Sequence, residues 1–290
     1  PSQGQTCHAF CTFCFRWPQF SGISELKFHM KDAELLYKYL DSHKHVTDVL
    51  FTGGDPMTMN ANILASYIRP LLTERFKHIR TIRIGTKSLA YWPYRFINDP
   101  DSDQILELFS EITNSGRNLA IQAHFNHYKE LSTEAVVLAV KRIRSTGAQI
   151  RTQSPLLKHI NDTPEVWVKM WRKQVDMNMI PYYMFVARDT GSKSFFELPL
   201  ERCWKIYREA YSHVSGVCRT VRGPSMSADY GKVEVVGITK VSGEKVFVLR
   251  FIQSKSVDYV DIPFFAKYSH SATWFDQLEP AFSDKFFFEK

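Results

Sequence analysis

Between residues 47 and 187 short β-rich runs alternate with segments of helical period, and this alternation narrows the fold more than any other feature of the 290-residue chain. The β-rich runs are TDVLFTGG (47–54), IRTIRIGT (79–86), LAIQAHFN (119–126), AQIRTQS (148–154) and IPYYMFVA (180–187). Between them stand ILASYIRPLLTERF, SDQILELFSEITNSG, STEAVVLAVKRIRSTG and PEVWVKMWRKQVDMN, whose apolar residues recur every three to four positions. Parallel strands need long crossovers, usually helical, so this order predicts an α/β fold with a parallel sheet and right-handed connections. A partly closed barrel of (β/α)6 type is the expected architecture. Gly116 and Gly147 are placed to end two of the helices, and Ser132-Thr133-Glu134 offers capping oxygens at the start of another. After about residue 215 the alternation stops. VEVVGITKVSGEKVFVLRFI (233–252) reads as a hairpin around Ser-Gly, and an aromatic-rich tail follows. The expected division is a barrel over 1–215 and a β-containing extension over 216–290, packed on the barrel or on another subunit.

A hydrophobic fraction of 44% and a charged fraction of 23% suit a globular core. No run of eighteen apolar residues occurs, so no membrane span is expected. The start, PSQGQTC, has neither the basic nor the apolar region of a signal peptide and lacks an initiator Met, so residues are expected to precede it. The net charge of +7 is dispersed among acids, which fits a solvated surface better than a nucleic-acid-binding stripe. Five cysteines are too few for a disulfide framework in a chain this long, and a reducing, cytoplasmic compartment is expected. Cys203 and Cys218 lie in apolar contexts and read as core residues.

Chemistry in parallel α/β folds gathers at the C-terminal ends of the strands. Here those ends carry Gly53-Gly54-Asp55, Gly85-Thr86-Lys87, His124-Asn126-His127, Gln153-Ser154 and Arg188-Asp189, which predicts one site on one face. Ahead of them, CHAFCTFCFRWPQF places Cys7, Cys11 and Cys14 within eight residues. Zinc would want four closed ligands, and His8 adjoins Cys7 too closely to reach the same ion easily. An iron–sulfur cluster held by three thiolates, with one iron left open to a small ligand, is the other reading.

The spacing CxxxCxxC resembles the signature of the radical S-adenosylmethionine (SAM) enzymes. The resemblance implies a [4Fe–4S] cluster on Cys7, Cys11 and Cys14, with SAM chelating the open iron and yielding a 5′-deoxyadenosyl radical on one-electron reduction. It implies that Phe13, just before the third cysteine, lies near the adenine, and that Gly53, Gly54 and Asp55 form the Gly-Gly-acid motif that holds the SAM amino group. DVLFTGGDPM, IRIGTKS, AHFNH, TQSPLLKHIND and PYYMF are similar to segments of the lysine 2,3-aminomutase group, and the similarity runs from the cysteines to about residue 232. That group adds pyridoxal phosphate (PLP), on which a substrate amino group migrates by radical chemistry. The resemblance then makes Arg16 the partner of the substrate carboxylate, Lys232 the lysine that carries PLP, Gln153 and Tyr183 neighbours of the cofactor, and His124, Asn126 and His127 a lining on the SAM side. An electron donor such as flavodoxin or ferredoxin is implied, and an oligomer would suit the aromatic tail. A first strand is expected ahead of Cys7, where only six residues stand.

Two departures bear on the substrate. The lysine-specific enzymes place aspartates at two positions that hold the distal ammonium of their substrate; an ungapped match puts Arg188 and Arg222 there. An ammonium would meet like charge and a carboxylate would be matched, so an anionic amino acid such as glutamate or aspartate is the expected substrate. Asp189 adjoins Arg188, and a shift of one residue restores an acid at that place. Two other readings stay open: a PLP-independent radical SAM enzyme acting on another small molecule or a protein, and a non-catalytic metal-cluster module.

Overall fold

The structure, a computed structural model, describes residues 1, 5–20, 22–23, 25, 30, 33–188 and 192–289. Five strands appear where the β-rich runs lie: β1 (Asp48–Phe51), β2 (Thr81–Thr86), β3 (Asn118–His124), β4 (Gln149–Leu156) and β5 (Ile180–Val186). The helices are α1 (Ala33–Ser42), α2 (Ala61–Ile68), α3 (Ser88–Tyr91), α4 (Ser102–Asn114), α5 (Glu134–Ser145), α6 (Pro164–Asp176), α7 (Lys193–Phe196) and α8 (Leu200–Ser212). Four more strands follow: β6 (Arg222–Ala228), β7 (Gly231–Val241), β8 (Glu244–Ser254) and β9 (Pro263–Lys267). Strand order follows chain order. β1, β2 and β3 pair in parallel, as do β5 and β6, and β6 to β9 pair antiparallel. The chain thus has the expected α/β class, a parallel wound part followed by a β extension. No helix among the described residues is long and apolar enough to cross a membrane.

The chain divides into two compact units, residues 1–152 with 173–180, and residues 153–172 with 181–290. In the first, β2 alternates strictly, with Ile82, Ile84 and Thr86 buried. α4 buries Ile105, Leu108, Phe109 and Ile112, the spacing that covers one helical face. α5 begins on Thr133, whose hydroxyl accepts from the Val136 amide at 3.3 Å, and Gly147 and Gly116 take the left-handed conformations that stop α5 and α4. The expected helix over 63–76 is shorter than its pattern. α2 ends at Ile68 and the chain continues in two 3₁₀ turns, because Pro70 lacks the amide that a longer helix would need.

In the second unit, β7 and β8 form the hairpin around Ser242-Gly243, both at positive φ, the backbone that a two-residue turn between twisted strands demands. The sequence did not announce β6: RGPSMSA has Gly, Pro and small polar residues, and pairing with β5 and β7 makes it a strand. The aromatic tail turns inward within this unit. Phe286 and Phe288 are buried, and the Phe288 ring lies 4.9 Å from Phe251 and 5.3 Å from Phe264.

Phe288→Ala removes a ring with several aromatic neighbours, and an expected loss of about 3 kcal/mol is to be read from urea unfolding followed by tryptophan fluorescence. An unchanged midpoint would show that the tail does not contribute to the fold.

Candidate active site

The C-terminal end of β1 runs into Gly53-Gly54-Asp55, and Asp55 is the hub to which the neighbouring strand ends are tied. Its carboxylate, almost wholly buried, accepts from Met57 N at 3.0 Å, from Thr86 Oγ1 at 2.7 and 2.9 Å, and from Lys87 N at 2.8 Å. These donors fill the lone pairs that a carboxylate offers. Asp55 therefore joins the end of β1 to the end of β2 while capping the 3₁₀ turn Pro56–Thr58. Arg95, also buried, clamps the far side of that turn by donating to Met57 O at 2.8 Å and Met59 O at 2.9 Å, and pairs with Asp101.

The cysteine loop is seated on the same segment. Asp55 N donates to Thr6 O at 2.8 Å, and Thr6 Oγ1 donates to Thr58 Oγ1 at 3.1 Å. A Cβ at Gly54 would fall 2.1 Å from Thr6 O, so only glycine fits where the residue before Cys7 crosses β1's end. His8 Nε2 lies 3.3 Å from Ser88 Oγ, and the Phe13 ring is 6.1 Å from that of His124. Cys7, Cys11 and Cys14 are free and half-buried. Burial raises the Cys7 thiol, and Asp55 and Cys14 add to the rise. Cys11 is pushed up to about 11, chiefly by burial, with Cys7 and Cys14 adding and Lys87 opposing. Among the described residues no three His, Cys, Asp or Glu side chains are gathered as a metal group. The donor set nonetheless suits a cluster in kind: neighbouring thiols help raise Cys7 and Cys11, and a bound cationic centre would favour their thiolates.

A second chain of contacts joins β2 to β3. The Lys87 ammonium, nearly buried, meets Glu130 Oε1 at 3.0 Å, and Glu130 Oε2 accepts from Asn126 N at 2.6 Å. His127 closes the turn as a cap, its Nδ1 accepting from Lys129 N at 3.2 Å. His124 Nε2 lies 2.6 Å from Asn126 Oδ1. Burial, then the Lys87 charge, pulls His124 down to about 3, so its imidazole is neutral at pH 7. In the sequence Lys87 stands out only as a polar strand end without a role, and Glu130 gives no signal, since its part depends on the fold bringing it against Lys87.

In the second unit another set converges. β5 and β6 pair Tyr183 with Arg222. Arg222 donates to Tyr183 Oη at 3.2 Å and Tyr182 Oη at 3.5 Å. The Lys232 amine stands over the Tyr183 ring, 4.2 Å from its centroid, and 5.3 Å from that of Phe185. Arg222 lies 5.3 Å from the same Tyr183 centroid. Two cations on one buried ring form a place suited to an anion with a planar body. Glu234, buried on β7, holds this set from behind, accepting from Gly223 N and Arg250 Nε at 2.7 Å each. Gln153 is half-buried on β4, Arg188 is exposed just past β5, and Asp189 lies outside the described residues. Arg16 is half-buried, its guanidinium 5.5 Å from the Phe15 ring.

No protein-family model matches the chain. It is 33% identical over 233 residues, 80% of its length and 60% of the relative's, to a protein of Aquifex aeolicus (strain VF5) that carries the provisional name L-lysine 2,3-aminomutase. It is 27% identical over 212 residues, 73% of its length and 48% of the relative's, to the L-lysine 2,3-aminomutase of Clostridium subterminale. The chain thus spans between about half and three fifths of the length of these relatives. Among solved structures, a radical SAM methyltransferase from Sphaerobacter thermophilus covers 61% of the chain, and the chain 51% of it, at 15% identity and a TM-score of 0.42, too distant to carry an argument. By its cysteine signature and its relatives, the chain is similar to the radical SAM enzymes. Within that superfamily its similarity is to the lysine 2,3-aminomutases, and this likeness implies a [4Fe–4S] cluster and SAM.

Two outcomes test this geometry. Gly54→Ala is expected to unseat the cysteine loop while leaving the rest of the fold in place, seen as faster amide exchange over residues 5–16 and loss of iron on reconstitution; iron content equal to wild type would refute it. His124 stays neutral in the folded chain and binds a proton below about pH 6.5 when unfolded. Its contribution to stability is therefore present above that pH and is lost as pH falls toward 3. Stability measured between pH 7 and 5 should fall by up to about 1.4 kcal/mol per unit from this group, and His124→Gln should flatten the slope.

Proposed function

We propose that the chain is a radical SAM enzyme, a PLP-dependent 2,3-aminomutase acting on an anionic amino acid of glutamate or aspartate type. The observation that carries the reading is the cysteine loop seated, through Thr6, on the Gly54-Asp55 segment at the C-terminal end of β1. In this reading Cys7, Cys11 and Cys14 hold the cluster, which supplies the electron that cleaves SAM. Gly53, Gly54, Phe13, His124 and Asn126 would border SAM, Gln153 would neighbour PLP, and Asp55 acts by fixing the ends of β1 and β2. Lys232, whose amine stands over Tyr183, would carry PLP, which when bound would spread unpaired spin over its ring.

The chain's own groups then account for substrate choice. Lys87 is neutralised by Glu130 and His124 is uncharged, so neither leaves an unbalanced positive charge at the first unit's strand ends. Arg222 donates to two neutral phenols, and a substrate carboxylate would match its charge; Arg16 is assigned the substrate α-carboxylate. A substrate ammonium beside Arg222 would be repelled. Arg188, exposed just past β5, is assigned with Arg222 to the distal carboxylate of the substrate. We assign residues 1–215 to the radical SAM barrel and 216–290 to the extension that brings Lys232, with flavodoxin or ferredoxin as electron donor.

Anaerobically reconstituted protein given SAM and a reductant should release 5′-deoxyadenosine, and Cys11→Ser should abolish it. With PLP added, borohydride should fix the cofactor on Lys232, and Lys232→Ala should show no adduct. Glutamate and aspartate should turn over and lysine should not, with Arg222→Gln lowering turnover by about 10- to 100-fold, the worth of one charged hydrogen bond. SAM cleavage without a Lys232 adduct would remove PLP and leave hydrogen abstraction from another small molecule or a protein. Stoichiometric zinc without iron would leave only a metal-binding module.

A further inference from the structure

Gln122 lies within β3 and is buried, yet its amide nitrogen has no hydrogen-bond partner among the described residues. Buried polar groups in folded proteins are nearly always paired, and an unpaired donor lowers stability. Its cross-strand partner on β2 is Gly85. Residues in register on neighbouring strands project to the same face. Glycine inside a strand also lowers stability, and it is usually explained by a positive φ or a close backbone approach. Neither applies here. Gly85 is not in the left-handed region, and a Cβ added to it would come no nearer than 3.7 Å to any neighbour, the hydroxyl of Thr52.

Two adjacent positions therefore both forgo stability, one by keeping an unpaired amide and the other by keeping an absent side chain. Gly85 is partly accessible while Ile84 and Thr86 beside it are buried. Gln122 is two residues before His124 on the same strand, hence on the same face, and His124 is the residue whose ring neighbours Phe13 of the cysteine loop. We infer that Gln122 and the space left at Gly85 form a binding position for an oxygen acceptor, a carboxylate or hydroxyl, of a small molecule held at the ends of β2 and β3. The inference rests on the proposed function for the identity of that molecule, which is either SAM, through its carboxylate or ribose, or the amino-acid substrate, through its carboxylate.

The test uses the full chain, reconstituted with iron and sulfide, and two variants. Gln122→Leu keeps the volume and removes the unpaired amide; Gly85→Ala fills the space without touching Gln122. Each is melted without ligand and titrated calorimetrically with SAM and with L-glutamate. Both variants are expected to melt no lower than wild type and to bind one of the two ligands about tenfold more weakly, the loss of one hydrogen bond. Weakened SAM binding identifies the nucleoside as occupant, and weakened glutamate binding identifies the substrate. If both variants bind both ligands as wild type does, the inference fails while the functional reading stands. It fails equally if Gln122→Leu melts several degrees lower and Gly85→Ala binds normally, because Gln122 is then a packing group. Wild type that binds neither ligand overturns the functional reading itself, and this inference with it.

Discussion

The Asp55 carboxylate is the constraint on which the first unit's site depends. A buried carboxylate is tolerable only when its lone pairs are satisfied, and here the satisfying groups belong to three different places in the chain: the turn after β1, the end of β2, and the first residue beyond it. Removing the negative charge would leave the Thr86 hydroxyl and the Met57 and Lys87 amides to find new partners together. Through Asp55 N the same residue also fixes Thr6, so one side chain and its own backbone set both the strand ends and the approach of the thiols. Lys87 continues the connection to Glu130, and Glu130 to the Asn126 turn after β3.

The second unit solves a different problem, that of holding two cations near one another. Tyr183 separates them, offering its hydroxyl to Arg222 and its ring face to Lys232. Glu234 lies two residues along β7 from Lys232 and holds the amide of Gly223, next to Arg222, so the strand that carries the amine and the strand that carries the guanidinium share one buried anion. Arg250 completes that anion's pairing at 2.7 Å. The acid thus offsets part of the local positive charge from behind.

Much of this was legible in the chain. The five β-rich runs fell on β1 to β5 to within a few residues, because β-branched alternation and glycine or proline stops act locally. Thr133, Gly116 and Gly147 did what their side chains or lack of them dictate. What escaped had non-local causes. β6 is a strand only because β5 and β7 flank it, and its own Gly-Pro and serines argue for a loop. The shortness of α2 was readable from Pro70, yet the apolar period masked it. Of the candidate site, the thiols, the Gly-Gly-Asp segment and the polar strand ends stood out by residue type. Glu130, Glu234 and Gln122 did not, since a lone acid or amide in a sequence gives no sign of what it will face. The resemblance gives the Gly-Gly-Asp segment to SAM, whereas the space a side chain would take at Gly54 is filled by the chain's own Thr6 carbonyl.

That last contact has a consequence for how such a chain can vary. The seat of the cysteine loop is made by a carbonyl and an amide of the main chain, with a missing side chain on the receiving segment. Any amino acid at position 6 carries the same carbonyl, so the loop's address is written at the end of β1 and not in the loop. This backbone contact does not depend on which side chains stand between the thiols, while a single methyl group at position 54 would close the berth to the loop whatever its sequence.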